Sequence, residues 1–293
     1  ALATILLFSR NEKKAFLSYL CGIFLMIVFV FIWNFKYGNM YTIDEKTFQI
    51  FNYIVAMDTM FVAIYFTYFF FSENTLFKDM LSEEREKSDA LLLSIFPESI
   101  AGRLRNSNLS VADSFDNVTI LFADIVGFTE YSSQMSASDL VHMLDEVFTE
   151  FDSLVDKYGI EKIKTIGDSY MAVGGLPTPD VNHCHNVANL ALEINTILKT
   201  KFTEKYSLQM RMGIHTGKAV AGVIGNKKFA YDLWGDSVNT AARMEANGQQ
   251  DCIQISPTTY AILKNDFDFE RIPNVEIKGK GKMDVYLWSA FTG

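Results

Sequence analysis

Residues 15–35 and 50–71 are two stretches of about twenty-one residues each, rich in Phe, Leu, Ile and Val, and apart from Asp58 they carry no charge. A helix of that length rises roughly 30 Å, the thickness of a bilayer's hydrocarbon core, and within hydrocarbon a helix satisfies its own backbone in a single segment. The pattern therefore predicts two transmembrane helices. Runs this long and apolar do not fit inside a small soluble core, and no small-residue cleavage site marks either as a signal peptide. Residues 1–9 are apolar without an initiator Met, and read as the tail of an earlier span in a longer polytopic chain. Arg10, Lys13 and Lys14 crowd one side of the first complete span, whereas Lys36 and Lys46 in the next loop are offset by Asp44 and Glu45. The positive-inside rule puts residues 10–14 in the cytoplasm, and two crossings return the chain there before Ser72. The expectation is a multi-pass protein of the cell membrane with its remaining residues cytoplasmic.

Charge returns at residue 73. Residues 73–114 read as a helical stalk, with Leu76, Met80, Leu81, Leu91, Leu92 and Ile95 able to line one stripe against a twin helix, and with Pro97 stopping or kinking it. Residues 115–293 are enough for one ordinary domain. The net charge of −9 falls almost wholly outside the membrane part, which argues against nucleic acid as a partner, since phosphate backbones need a basic face. Cys21, Cys184 and Cys252 lie far apart and suit reduced thiols better than a disulfide framework.

Within that domain two acidic strand ends stand about forty-four residues apart. Val118-Thr119-Ile120-Leu121-Phe122 leads into Asp124, and Asp168 falls in a Gly-Asp hairpin turn between Ile163-Lys164-Thr165-Ile166 and Tyr170-Met171-Ala172-Val173. Carboxylates held at the ends of paired strands suit a pair of divalent cations, which in turn suit a nucleoside triphosphate. Taken alone, they are equally two turn aspartates that meet only solvent.

Their surroundings bear a resemblance. Residues 122–129 (Phe-Ala-Asp-Ile-Val-Gly-Phe-Thr) and 162–171 (Lys-Ile-Lys-Thr-Ile-Gly-Asp-Ser-Tyr-Met) are followed by 211–217 (Arg-Met-Gly-Ile-His-Thr-Gly), 231–235 (Tyr-Asp-Leu-Trp-Gly), 238–244 (Val-Asn-Thr-Ala-Ala-Arg-Met) and 277–281 (Ile-Lys-Gly-Lys-Gly). Six matches in order over about 160 residues resemble the class III nucleotidyl cyclases, the family of adenylyl and guanylyl cyclases. The resemblance implies an α+β fold: a ferredoxin-like mixed sheet with helices on one side. It also implies that the segment 92–104 is similar to the transducer that precedes many cyclase domains. Two divalent ions, Mg²⁺ or Mn²⁺, would be held by Asp124, Asp168 and the backbone carbonyl of Ile125. Gly127, followed by Phe128, would let the backbone approach the phosphates.

Asn239 and Arg243 stand four apart in a segment that reads helical from 236 to 246, which places them about a turn apart on one face. The resemblance makes Arg243 the stabiliser of charge on the α-phosphoryl group and Asn239 the residue that orients the ribose. Arg211, in an alternating strand-like run, and Lys278, in a Gly-flanked loop, are the candidates for the triphosphate tail. Lys164 and Asp232 would read the base. Guanylyl cyclases resemble a reversed case with Glu and Cys there, so the Lys–Asp combination points to ATP.

In the family each site lies between two subunits. One chain carrying the full set implies a symmetric homodimer. The expected function is thus a membrane adenylyl cyclase, in contact with lipid and open to an unknown ligand or partner of its membrane part. A guanylyl cyclase, or a receptor whose cyclase-like domain only dimerises, are the alternatives. His183-Cys184-His185 looks like a metal cluster, but residues two apart point away from each other on the helix expected from Asn186.

Overall fold

The computed structural model describes residues 44–106, 112–206, 208–225 and 229–289, with isolated positions before residue 44. The expected spans at 1–9 and, for all but a few positions, 15–35 lie outside the described residues. The chain divides into two units, Ala1–Arg85 and Glu86–Gly293.

The apolar run at 50–71 falls within helix α1 (Glu45–Leu93). Thr59 and Thr67 donate their hydroxyls back to the carbonyls of Val55 and Ala63, at 3.0 and 2.7 Å, so these polar side chains are satisfied by the helix itself. Among the described residues, α1 is the helix long and apolar enough to cross a membrane.

In the second unit, Pro97 separates α1 from α2 (Glu98–Asn106), and its carbonyl accepts from the amides of Ile100 and Ala101, both at 2.9 Å. β1 (Ala112–Ile125) follows, then α3 (Phe128–Ser133) and α4 (Ala137–Tyr158). Ser136 caps α4 by accepting from the Asp139 amide at 3.1 Å, and Gly159 ends it in a left-handed conformation. The hairpin β2 (Glu161–Ile166) and β3 (Ser169–Gly174) leads to α5 (His183–Ile197), a π turn over Leu198–Phe202 and the short α6 (Thr203–Tyr206). Next come β4 (Met210–Ile224), β5 (Ala230–Trp234), α7 (Asp236–Ala246), β6 (Cys252–Ile255), α8 (Pro257–Leu263), β7 (Glu270–Ile277) and β8 (Gly281–Ser289).

The eight strands form one sheet in the order β2-β3-β1-β4-β6-β8-β7, with β5 paired to β4. The first four are mutually antiparallel and connect as βαββαβ, the ferredoxin-like arrangement. β6 runs parallel to β4, which makes the sheet mixed.

Side-chain alternation splits the core into two layers. Leu121, Ala123 and Ile125 of β1 face one layer with Phe151 of α4, Leu190 and Ile194 of α5 and Leu263 of α8. Val118, Ile120 and Phe122 face the other, with Phe96, with Ile100 and Ala101 of α2, and with Ala241 of α7. The expectation of helices on one side is therefore corrected: α2 and α7 cover the opposite face. α5 also begins at His183, three residues before the expected Asn186, because Asp180 accepts from the Asn182 amide and the Asn186 side chain and ties the first turn down.

Candidate active site

Asp124, next to the end of β1, is directly opposite Arg211 in the antiparallel ladder with β4. Asp168 is the second residue of the turn between β2 and β3, where Ile166 pairs with Ser169 and Gly167 takes a left-handed φ of 64°. Because β3 pairs with β1 at Ala123 and Tyr170, that turn is carried beside Asp124. The two carboxyl groups stand close enough for the charge of one to act on the other. Burial, and then the charge of Asp124, push the Asp168 carboxyl above its usual range, while the amides of Asp168 and Ile125 pull it back. The Ile125 side chain is buried in the core, so its backbone is what faces the pair.

Two half-buried carboxylates crowded together repel each other and offer hard oxygen donors, a set that fits Mg²⁺ or Mn²⁺. A cation already stands beside them. The Arg211 Nη2 donates to Asp124 Oδ2 at 3.0 Å, and the same nitrogen lies 3.2 Å from Glu245 Oε1. Burial, followed by the charge of Asp124, pushes Glu245 up to about 7, against the pull of Arg211.

Gly127 precedes α3 at φ 70°, a left-handed conformation that only glycine adopts without cost. A Cβ there would meet no atom of the chain within 4 Å, so the local need for glycine is conformational. Phe128 opens α3 and packs, partly buried, against the core layer below.

The Lys164 Nζ closes on Asp232 Oδ2 between β2 and β5, with both side chains partly exposed. Asn239 is exposed and Arg243 half-buried on α7, whose limits match those read from the sequence. Lys278 is exposed in the turn between β7 and β8, and in that turn it is Lys280 that pairs with Asp236 at the start of α7. The structure thus gathers Asp124, Asp168 and Arg211 at one place and Lys164 with Asp232 at another. Among the described residues, no hydrogen bond or ion pair joins the first group to the second, or to Asn239, Arg243 or Lys278.

His183, Cys184 and His185 go three ways: to Thr119 Oγ1 at 2.8 Å, to Thr216 Oγ1 at 3.6 Å and to Asp266 Oδ2 at 3.1 Å. The residue that sequence reasoning passed over is Glu245. It follows the matched 238–244 run by one position, and no local pattern separates it from an exposed helix glutamate.

Residues 110–290 match the family described as "Adenylate and Guanylate cyclase catalytic domain". The chain belongs to this family, the class III nucleotidyl cyclases. It is 41% identical over 227 residues to an adenylate cyclase of Mycobacterium tuberculosis, covering 77% of this chain and 51% of that protein. It is 40% identical over 210 residues to the guanylate cyclase soluble subunit beta-2 of Rattus norvegicus, covering 71% of this chain and 31% of that one. Among solved structures, the catalytic core of a rhodopsin-guanylyl cyclase with converted specificity, in complex with ATPalphaS, is similar at 38% identity and a TM-score of 0.59, covering 61% of this chain and 98% of that one. The chain spans about half or less of the length of these curated relatives.

Proposed function

We propose that this chain is a membrane-anchored adenylyl cyclase that converts ATP to 3′,5′-cyclic AMP and pyrophosphate at sites shared between two copies. The observation that carries the substrate is the Lys164–Asp232 pair. Adenine N1 accepts and its N6 amino group donates, so an ammonium and a carboxylate answer its edge. Guanine reverses that edge and calls for an acid where Lys164 stands. A mismatched buried polar group costs about 1–3 kcal/mol, enough for strong discrimination.

Asp124, Asp168 and the backbone carbonyl of Ile125 would hold two divalent cations, which when bound neutralise phosphate charge and ease loss of the 3′-hydroxyl proton. The chain's own residues do the rest. Arg211 and Lys278 bind the triphosphate, the turn at Gly127 and Phe128 shapes the wall beside it, and Asn239 orients the ribose. Arg243 stabilises charge on the α-phosphoryl group while the 3′-oxygen bonds to the α-phosphorus. The bond from that phosphorus to the bridging oxygen breaks, pyrophosphate leaves with the electron pair, and the hydroxyl proton passes to solvent.

Two copies are supported by the separation of the groups within one chain and by the β4–β5 hairpin, which exposes Val220, Ile224, Phe229 and Trp234. The membrane anchor is supported by α1, whose Tyr53, Phe61 and Tyr68 are each more than two-thirds exposed. A silent receptor would have no need of the full set of residues together.

Purified protein with Mn²⁺, assayed on ATP and GTP side by side, is expected to make cyclic AMP with kcat/KM at least about tenfold the higher. The paired exchange of Lys164→Glu with Asp232→Cys is expected to reverse that preference. A native preference for GTP would instead establish a guanylyl cyclase, and no product from a folded dimer would establish the receptor.

A further inference from the structure

We propose that Glu245 is a positioning residue for Arg211, keeping its guanidinium in the site when a cation takes Asp124 as a ligand. This rests on the reading of Asp124 and Asp168 as the cation ligands. In the present state Arg211 is the counter-charge of Asp124, at 3.0 Å. A dication on the Asp124 carboxylate weakens its bond to Arg211, because it takes up oxygen lone pairs and repels the guanidinium. Arg211 is then drawn toward any other anion within reach.

Glu245 is the carboxyl group in reach. It is 9% exposed, and its Oε1 lies 3.2 Å from Nη2 yet off the hydrogen-bonding direction. Arg211 Nε and Glu245 Oε1 are both buried and both without a hydrogen-bond partner. A guanidinium and a carboxylate are built for a two-bond fork, and a small rotation of Arg211 toward Glu245 would satisfy both orphaned atoms. The present arrangement leaves them unsatisfied because Asp124 holds Nη2 on the other side.

Glu245 cannot retreat from this contact. A Cβ on Gly213 of β4 would lie 2.0 Å from the Glu245 amide nitrogen, so the helix backbone rests directly on the strand. The same helix carries Asn239 and Arg243. Release of Arg211 from Asp124 is thereby coupled to the element that bears the other phosphate-directed arginine.

The test is Mn²⁺ binding to the nucleotide-free full chain, followed by the electron paramagnetic resonance signal of free Mn²⁺, on a double-mutant cycle of Glu245 and Arg211. Glu245→Ala is expected to weaken binding about tenfold, because Arg211 then competes for Asp124 with no alternative partner, and Glu245→Gln, which keeps an acceptor, about threefold. In an Arg211→Gln background the Glu245→Ala change is expected to alter affinity less than about twofold. Thermal melting identifies any variant that fails to fold, and the isosteric Glu245→Gln then carries the cycle. Equal weakening in both backgrounds would mean that Glu245 acts on the ion directly, and no weakening with Arg211 present would also overturn the inference. If native protein and Asp124→Asn bind Mn²⁺ alike, the cation assignment itself falls, and this inference with it.

Discussion

Glu161, at the first position of β2, is half-buried with Asp156 as its charged neighbour, and partial loss of solvation pushes its carboxyl up to about 7 from an ordinary 4.5. The folded state therefore favours the protonated acid, and stability falls as pH rises from about 4.5 through about 7. Glu161→Gln removes this dependence. Between pH 5.5 and 8 the variant is expected to lose on the order of 2 kcal/mol less stability than native protein, read from melting curves at the two values. An identical decline in both would contradict the assignment. Asp124, Asp168, Lys164, Asp232, Asn239 and Arg243 could be proposed as site residues from the sequence because each sits in a run that resembles a family motif. Glu161 and Glu245 could not be, because burial of a carboxylate is decided by residues distant in the chain. Glu245 is buried by contact with β4, which precedes it by more than twenty residues.

At the scale of elements, α7 is placed by the absence of a side chain. Gly213 lets the helix backbone touch β4, and a methyl group there would meet main-chain atoms that cannot swing aside. Gly213→Ala is expected to push α7 outward, costing about 1–3 kcal/mol of stability and, by displacing Asn239 and Arg243, about a hundredfold in turnover. Melting curves and a cyclase assay read the two effects, and native-like values of both would show that the contact is dispensable. The extent of α7 and the β2–β3 hairpin could be read from the sequence, since helical periodicity, alternation and a Gly-Asp turn are local signals. The layering could not. β1 places Val118, Ile120 and Phe122 on one face and Leu121, Ala123 and Ile125 on the other, so it is apolar throughout, and such a strand does not say which helices cover which face. The early start of α5 likewise depends on Asp180 reaching across to Asn186.

For the molecule as a whole, the proposal assigns cation and triphosphate binding to one copy and base reading with Asn239 and Arg243 to the other. The apolar runs suggest spans by length and composition, and among the described residues α1 has both. The shared site is tested most directly by complementation. Asp124→Ala and Arg243→Ala are each expected to be inactive, and a 1:1 mixture is expected to recover on the order of a quarter of native cyclase activity, since a mixed dimer keeps one intact site. Verified mixed dimers that remain as inactive as either variant alone would contradict the account.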